Sequence, residues 1–362
     1  MRFLKEELSF LKLYSMLSDN RSFLNDKICI ESVSKTKTVT FSQLSHKFNL
    51  ITKINKEIKD DEDFSLIINV NIFYQLISSL PNNTYVNITK DGIFFNSSKY
   101  DLQKYEGDYS VVSKFEEAIS LKETAIFSIN EIDKMVLLKN YCGKDELDTI
   151  ALIEGNFVAS NRTDITGVIK TNNDKNLIFY FPSDFVSIIN LQNLKSIDIK
   201  TVEYNDKNIT YFILNNIIVI INEFTYALKN IFVEEIKRLY DHNTKILVDK
   251  NSFLEVLSRI AIVSKDNIYN RIFISFDNTN IIIESKDVGY SVEKIPYISI
   301  DPSLVGIKII LSVNNLKTII QSLTGKQVYI KASADEDAVA VSFEDENKDR
   351  FYIHTLYENI DE

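Results

Sequence analysis

Few side chains in this 362-residue chain have the types and spacing that catalysis needs. The histidines His46, His242 and His354 lie in unrelated contexts, and none forms the paired helical spacing with which two imidazoles reach one metal. Cys29 and Cys142 are too few and too unpatterned for a zinc site or a disulfide framework, so both read as core thiols in a reducing compartment. The run Asp60-Asp61-Glu62-Asp63 is dense enough to consider for two-metal hydrolysis. Contiguous acids in a loop are far more often solvated, however, and the tail Glu358 to Glu362 reads the same way. With only 8 glycines, the chain has no glycine-rich phosphate cradle and no nucleophile elbow. The chemistry available points away from an enzyme and away from a metal or cofactor, toward a protein that works by binding.

Bulk properties narrow what it binds. A net charge of −10 argues against a protein that grips nucleic acid tightly, because phosphate contact needs concentrated Lys and Arg. The length suggests two or three domains, and the 45% apolar content is enough to build their cores. Stretches such as Ile217 to Ile221 are too short to cross a bilayer. Met1-Arg2-Phe3-Leu4-Lys5-Glu6-Glu7 lacks the cationic start and apolar run of a secretory signal, so a cytoplasmic location is expected.

The elements that must position any site come from an internal repeat. Phe64 to Leu80, Lys175 to Leu191 and Ile307 to Leu323 each read as a strand followed by a short amphipathic helix. Placing Phe73, Phe185 and Leu316 in register aligns Leu76, Ile188 and Ile319, then Ile77, Ile189 and Ile320, which is the i, i+3, i+4 face of a buried helix. Asn71, Ser183 and Asn314 are the expected helix caps. Alternating strands follow at Tyr85-Val86-Asn87-Ile88, Ser196-Ile197-Asp198-Ile199 and Val328-Tyr329-Ile330-Lys331. The polar turns after them are Lys90-Asp91-Gly92, Tyr204-Asn205-Asp206-Lys207 and Ala334-Asp335-Glu336-Asp337. A second helical pattern precedes these, aligning Asn130 with Asn251, Ile132 with Phe253 and Val136 with Leu257, and Leu4 to Leu17 fits it loosely. The period is roughly 110 to 130 residues, which is domain-sized. Ser113 to Glu123 and Glu234 to Asn243 read as linkers.

At this point the chain resembles, along its whole length, the bacterial beta sliding clamp family, the beta subunits of DNA polymerase III. The last third carries the resemblance most closely. The segment from Leu247 through Asn251, Phe253, Leu257 and Ile260 to Ser264 looks like that family's opening helix. Ile282-Ile283-Glu284-Ser285-Lys286-Asp287-Val288-Gly289, then Val292-Glu293, then the helix and strand from Leu311 to Ile330 continue the likeness. Abundant Asn, Ile and Lys with no Trp suggest an AT-rich genome, that of a phage or a low-GC bacterium.

The resemblance implies an α+β clamp fold of three repeated domains, 1–118, 119–240 and 241–362. It implies a crescent that closes head to tail with a second copy, a homodimeric ring around duplex DNA. The function implied is that of a non-enzymatic processivity factor in DNA replication, which tethers a replicative polymerase and is opened by a clamp-loading ATPase. The acidic total is compatible with this, since a protein that encircles DNA need not grip it. The alternative is a DNA-independent, protein-binding scaffold with the same repeated fold, and a more distant one is a metal-dependent nuclease.

Residue by residue, Lys12, Arg21, Lys134, Lys139, Lys144, Lys195, Arg259, Lys265, Lys317 and Lys326, on or beside predicted helices, would face the duplex and attract phosphates without reading sequence. Any one of them could instead be an ordinary solvated charge. Leu147, Ile165, Leu239, Tyr352, His354 and Leu356 would wall a partner-peptide pocket between the second and third domains, with Arg162 and Thr163 at its rim. The alternative is that these groups simply close the seam. Asn161-Arg162-Thr163-Asp164 stands where the family has a glycine-containing turn. Tyr100 and Leu102 on one edge, and Ile262 and Val263 on the other, would join the two copies; a buried core role is the alternative for Ile262 and Val263.

Overall fold

The computed structural model describes residues 1–18, 26–44, 48–56, 58, 63–109, 123–144, 147–162, 165–171, 178–186, 196–204, 207–214, 217–221, 230–234, 236, 245–264, 270–286, 290–332 and 340–354. The fold is α+β, and among the described residues the strands form four sheets. The chain forms two compact units, Met1–Ile132 with Ser187–Glu223, and Asp133–Val186 with Phe224–Glu362.

In the first unit an eight-stranded sheet runs in the order Phe64–Asn69, Lys27–Val33, Thr38–Leu44, Phe48–Asn55, Ile217–Ile221, Lys207–Leu214, Ser196–Tyr204 and Glu123–Ser128. Its middle join pairs Phe48–Asn55 antiparallel with Ile217–Ile221, setting Leu50 opposite Val219 and Ile51 opposite Ile218. A four-stranded sheet takes Arg2–Leu4, Tyr85–Thr89, Gly92–Phe95 and Ser98–Tyr100 in that order. Helices α1 (Leu11–Leu17) and α2 (Val70–Ser79) pack on each other. Phe3, Phe10, Tyr14 and Phe41 form an edge-to-face aromatic core beneath them. The buried Tyr14 hydroxyl lies 3.0 Å from both the Phe41 carbonyl, which accepts from it, and Thr52 Oγ1. The loosely fitting N-terminal segment is a broken helix: a 3-10 turn at Lys5–Leu8 precedes α1.

In the second unit a nine-stranded sheet runs Phe179–Pro182, Thr149–Ile153, Asn156–Ser160, Ile165–Lys170, Arg350–His354, Ala340–Asp345, Gln327–Ala332, Lys245–Asp249 and Ser299–Ile300. A four-stranded sheet runs Ser291–Pro296, Asn280–Ser285, Arg271–Phe276 and Lys308–Ser312. Helix α3 (Ile129–Leu138) begins in the first unit and ends in the second. Helices α4 (Lys250–Val263) and α5 (Val313–Ser322) pack together, burying Phe253, Val256, Leu257 and Ile260 from one and Leu316, Ile319 and Ile320 from the other. Each large sheet takes strands from two successive repeats, so the compact units do not coincide with the repeats.

The helix registers expected from the sequence hold where they are described: Phe73, Ile77, Phe185, Leu316, Ile319 and Ile320 are buried, and Leu76 is half-buried. Ile188 and Ile189 lie outside the described residues. The caps differ. Asn69 rather than Asn71 caps α2, accepting from the Asn71 and Ile72 amides at 3.0 Å, and Ser312 rather than Asn314 caps α5. The reason is that strand runs straight into helix, so the last extended residue is the cap. Asp249 does the same for α4, taking the Ser252 amide at 2.8 Å. Ser183 lies within the helical turn of 183–186 and donates its hydroxyl to the Asp148 carboxylate.

Candidate functional site

The second unit's nine-stranded sheet holds three of the expected partner-pocket residues, Ile165, Tyr352 and His354. Its central seam pairs Ile165 with Ile353, Thr166 with Tyr352, Gly167 with Phe351 and Val168 with Arg350. The seam is tight. A Cβ on Gly167 would stand 2.5 Å from Leu138 Cδ2 and 3.1 Å from the Phe351 ring, so only glycine lets α3 and the strand approach. Buried Tyr141 packs on Phe351 with centroids 4.9 Å apart, and its hydroxyl donates to Ser322 Oγ at 2.9 Å.

One face of this sheet can be read in cross-strand rows, because directly opposed residues point the same way. One row is Ala151, Val158, Val168, Arg350, Glu344, Tyr329 and Leu247. The next is Ser160, Thr166, Tyr352, Ser342, Lys331 and Lys245. At one end Ala151, Val158 and Val168 join Phe232 and Ile236 in a buried apolar cluster, against which Leu147 packs half-buried. At the other end the face turns ionic. Buried Glu344 accepts from Lys331 at 2.7 Å and Lys348 at 3.2 Å, and lies 2.8 Å from Arg350 Nε. Burial works to raise the Glu344 pKa, but these cations outweigh it and hold the carboxyl below its ordinary value. On the neighbouring turn, fully buried Asp345 accepts the Thr324, Gly325, Asn347 and Asp349 amides. Burial and the Asp345 charge push the Asp349 carboxyl up.

Of the expected pocket walls, Leu147 borders this face, whereas buried Ile165, one residue out of step with Thr166 and Val168, points to the opposite face with Gly167 and Ile353. Thr163, Leu239 and Leu356 lie outside the described residues, and of Tyr352 and His354 the strand positions alone are described. Arg162 is exposed and takes the left-handed conformation, φ 61°, that a glycine would otherwise supply. Asn161 braces the turn: its side chain accepts the Ile165 amide at 3.0 Å, and its own amide donates to the Ile165 carbonyl at 3.1 Å.

The cations expected to face DNA do not share one environment. Lys12, Lys139, Lys144 and Lys326 are exposed and Lys317 is half-buried. Lys134 donates to the Lys170 carbonyl at 2.8 Å. Arg259 is bidentate to Glu293, at 2.8 and 2.9 Å. Arg21, Lys195 and Lys265 lie outside the described residues. Helix α2 carries no charged residue.

The residues expected at the join between copies differ in setting from the expected strand edges. Tyr100 ends the exposed edge strand Ser98–Tyr100, stacked on Phe95 at 4.5 Å, but Leu102 follows that strand in irregular chain. Ile262 and Val263 are not on a strand edge but in the last turn of α4. Nor are they core residues. Ile262 is 75% exposed because it sits about 200° around the helix from buried Ile260. The edge strand beside that helix is Ser291–Pro296, where Tyr290 (74% exposed), Val292 and Glu293 were missed by sequence reasoning.

Burial pushes the Cys29 thiol up to about 11 and that of Cys142 up to about 12, so neither is a ready nucleophile. Among the described residues no group of three His, Cys, Asp or Glu is placed to hold a metal, and no helix is long and apolar enough to cross a membrane. Asp60 to Glu62, His46 and His242 lie outside the described residues.

Sheets that run on across repeats, with paired short helices in the first and third, define a DNA-clamp architecture. No protein-family profile and no curated protein sequence matches the chain. Solved structures do. A DNA polymerase sliding clamp from Bacillus subtilis superposes with a TM-score of 0.73 at 14% identity, covering 99% of this chain and 98% of that one. The beta chain of DNA polymerase III from Streptococcus pneumoniae gives 0.75 at 14% identity, covering 99% of each chain. The Caulobacter crescentus (C. crescentus) beta sliding clamp gives 0.75 at 11% identity, again covering 99% of each. The fold is that of the bacterial beta sliding clamps.

Proposed function

We propose that this chain is a DNA sliding clamp. Three domains, 1–118, 119–240 and 241–362, form each subunit, and two subunits close head to tail around duplex DNA in the cytoplasm. The ring tethers a replicative polymerase, is opened by a clamp-loader ATPase and catalyses nothing itself. The observation that carries this reading is the fold likeness to sliding clamps over 99% of the chain. The exposed cations named above, Lys12, Lys139, Lys144 and Lys326, face the duplex, while partner peptides dock at the seam beside Leu147. The strand at Tyr100 in one copy meets Tyr290, Val292, Ile262 and Val263 in the other, which would bury side chains that are otherwise costly to expose.

The test combines mass and topology. Equilibrium sedimentation is expected to give twice the mass of one chain, and closed rings reassociated on nicked circular duplex should stay bound in high salt until the circle is linearised. Ile262→Asp and Tyr100→Asp should each abolish both properties. Retention that ignores linearisation, or a monomer that never enters circles, would instead support the DNA-independent scaffold.

A further inference from the structure

The first unit's four-stranded sheet has two unlike faces. Residues directly opposed across its strands point the same way, so the pairings sort them into rows. Phe3, Val86 and Phe95 belong to one row and Ile88 and Ile93 to another, and all five are buried. The row between these, Arg2, Asn87, Phe94 and Lys99, crosses all four strands and faces outward, with Leu4 and Tyr85 as the next outward pair. Alternation alone would make such a face polar. Instead its two inner strands, Tyr85–Thr89 and Gly92–Phe95, present aromatic rings: Tyr85 is 47% exposed and Phe94 is half-buried. As diagonal neighbours the two stand about 7–8 Å apart. Cations flank both rings. Arg2 Cζ lies 3.7 Å from the centroid of Tyr85, and Lys99 Nζ lies 5.8 Å from that of Phe94. In a chain of net charge −10, these outward rows hold two cations and no carboxylate. The acids around them are offset: Asp101 lies 4.0 Å from Lys104 Nζ, Glu7 pairs with Lys56, Glu6 accepts the Asn83 amide at 2.8 Å, and exposed Asp91 follows Lys90 in the turn.

We propose that this outward face binds single-stranded nucleic acid, with bases stacked on Tyr85 and Phe94 and phosphates drawn to Arg2 and Lys99. Every base has a π-face, so stacking needs no particular sequence, and a four-stranded antiparallel sheet with aromatics on its inner strands is a flat platform for successive bases. Arg2 extends that platform, because a base stacks on a guanidinium plane as it does on a ring. Asn87, exposed beside both rings, offers a donor and an acceptor to a base edge. Protein surfaces present both signs of charge, whereas rows with cations and no acid complement a polyanion. With two phosphate contacts the binding is weak and salt-sensitive, its logarithm falling with the logarithm of salt at a slope of about −1.4. The site lies within the first unit, so it needs neither a second copy nor a closed ring.

Labelled hexamers of thymidylate and of uridylate test this on the full-length chain. Fluorescence anisotropy at low salt is expected to show binding that Tyr85→Ala weakens about five- to 150-fold, the worth of one stacked base, and that Tyr85→Phe retains. Lys99→Gln should make the salt slope shallower by about 0.7. Photocrosslinking with a hexamer carrying 5-iodouracil, followed by peptide mapping, should label Tyr85 or Phe94 in the unaltered chain, which locates the site without relying on any variant. Such binding of either hexamer supports the proposal, and the ratio of the two affinities tells DNA from RNA. Three results overturn it: no binding at low salt, crosslinks confined to other residues, or equal affinity for an abasic hexamer, whose phosphates alone would then suffice. So does displacement of the hexamer by a short Leu/Asp peptide at a lower concentration than unlabelled thymidylate requires, because the face would then be a protein-binding one.

Discussion

Gly167→Ala should loosen the second unit's seam, and by a calculable amount. The added methyl would lie 2.5 Å from Leu138 Cδ2 and 3.1 Å from Phe351 Cδ1 and Cε1. Leu138 and Phe351 are both fully buried, so neither can swing away into solvent. Overpacking of this kind costs about 1–3 kcal/mol. Because the chain forms two compact units, a global unfolding curve would mix their transitions, and the readout should be local. Amide hydrogen exchange at Ile165–Lys170 is expected to quicken about five- to 150-fold, the equivalent of that cost. Leu138→Ala alone should cost about 2–5 kcal/mol by leaving a cavity. In the double variant the methyl enters that cavity, so the combined loss should fall below the sum of the two. Unchanged protection in Gly167→Ala, or strict additivity in the pair, would refute the claim that glycine is required for close packing here.

Other consequences follow from single contacts. Tyr141→Phe removes the buried bond to Ser322 and should cost about 1 kcal/mol, measured as seam exchange, while Ser322 keeps its own bond to the Thr318 carbonyl. Glu344 has a lowered pKa in the fold, so its contribution is present above the unfolded-state pKa and is lost as pH falls through the folded value; Glu344→Gln should flatten that part of a melting-temperature profile. Asp349 has the opposite sign: its raised pKa costs stability at neutral pH and relieves it on acidification, so Asp349→Asn should raise the neutral-pH melting temperature. Arg259→Glu should weaken the packing of α4 beside Ser291–Pro296, and Arg259→Glu/Glu293→Arg should recover it, as read by exchange in that strand.

The buried helix faces were legible because apolar spacing at i, i+3 and i+4 survives any change of context, as Leu316, Ile319 and Ile320 show. The caps were misplaced by two residues for a local reason. Asn69 and Asn71 are equally good cap residues, and what chooses between them is that Asn69 is still extended, at φ −69° and ψ 122°. Arg162 shows the same limit, since nothing in its type announces a positive φ. The first unit's seam was not legible from pattern. Phe48–Asn55 and Ile217–Ile221 are apolar strands far apart in sequence, and their pairing depends on three-dimensional proximity rather than on any pattern within either strand. The ionic end of the seam face was hidden for the same reason, because Lys331, Glu344 and Arg350 become neighbours only through strand register. At the edges, helix periodicity alone would have placed Ile262 away from the buried stripe, had the helix been extended through it.

The two kinds of join suggest where a ring made of this chain would part. Within the chain, Phe48–Asn55 meets Ile217–Ile221, and Ile165–Lys170 meets Arg350–His354, as backbone ladders backed by buried side chains such as Ile51, Val219, Phe351 and Ile353. Breaking either would expose both the ladder and the core beneath it. The edge left for a second copy in the first unit is shorter: Ser98–Tyr100 is exposed along its length, and its neighbour Leu102 has already left the strand. Fewer backbone bonds and a thinner apolar cover make that edge the weaker join. On the proposed reading, a loader that must open the ring therefore meets least resistance between copies, while each subunit keeps its seams and its peptide-docking face intact. Opening and partner binding would then occur at separate joins, so a peptide bound beside Leu147 need not leave when the ring parts.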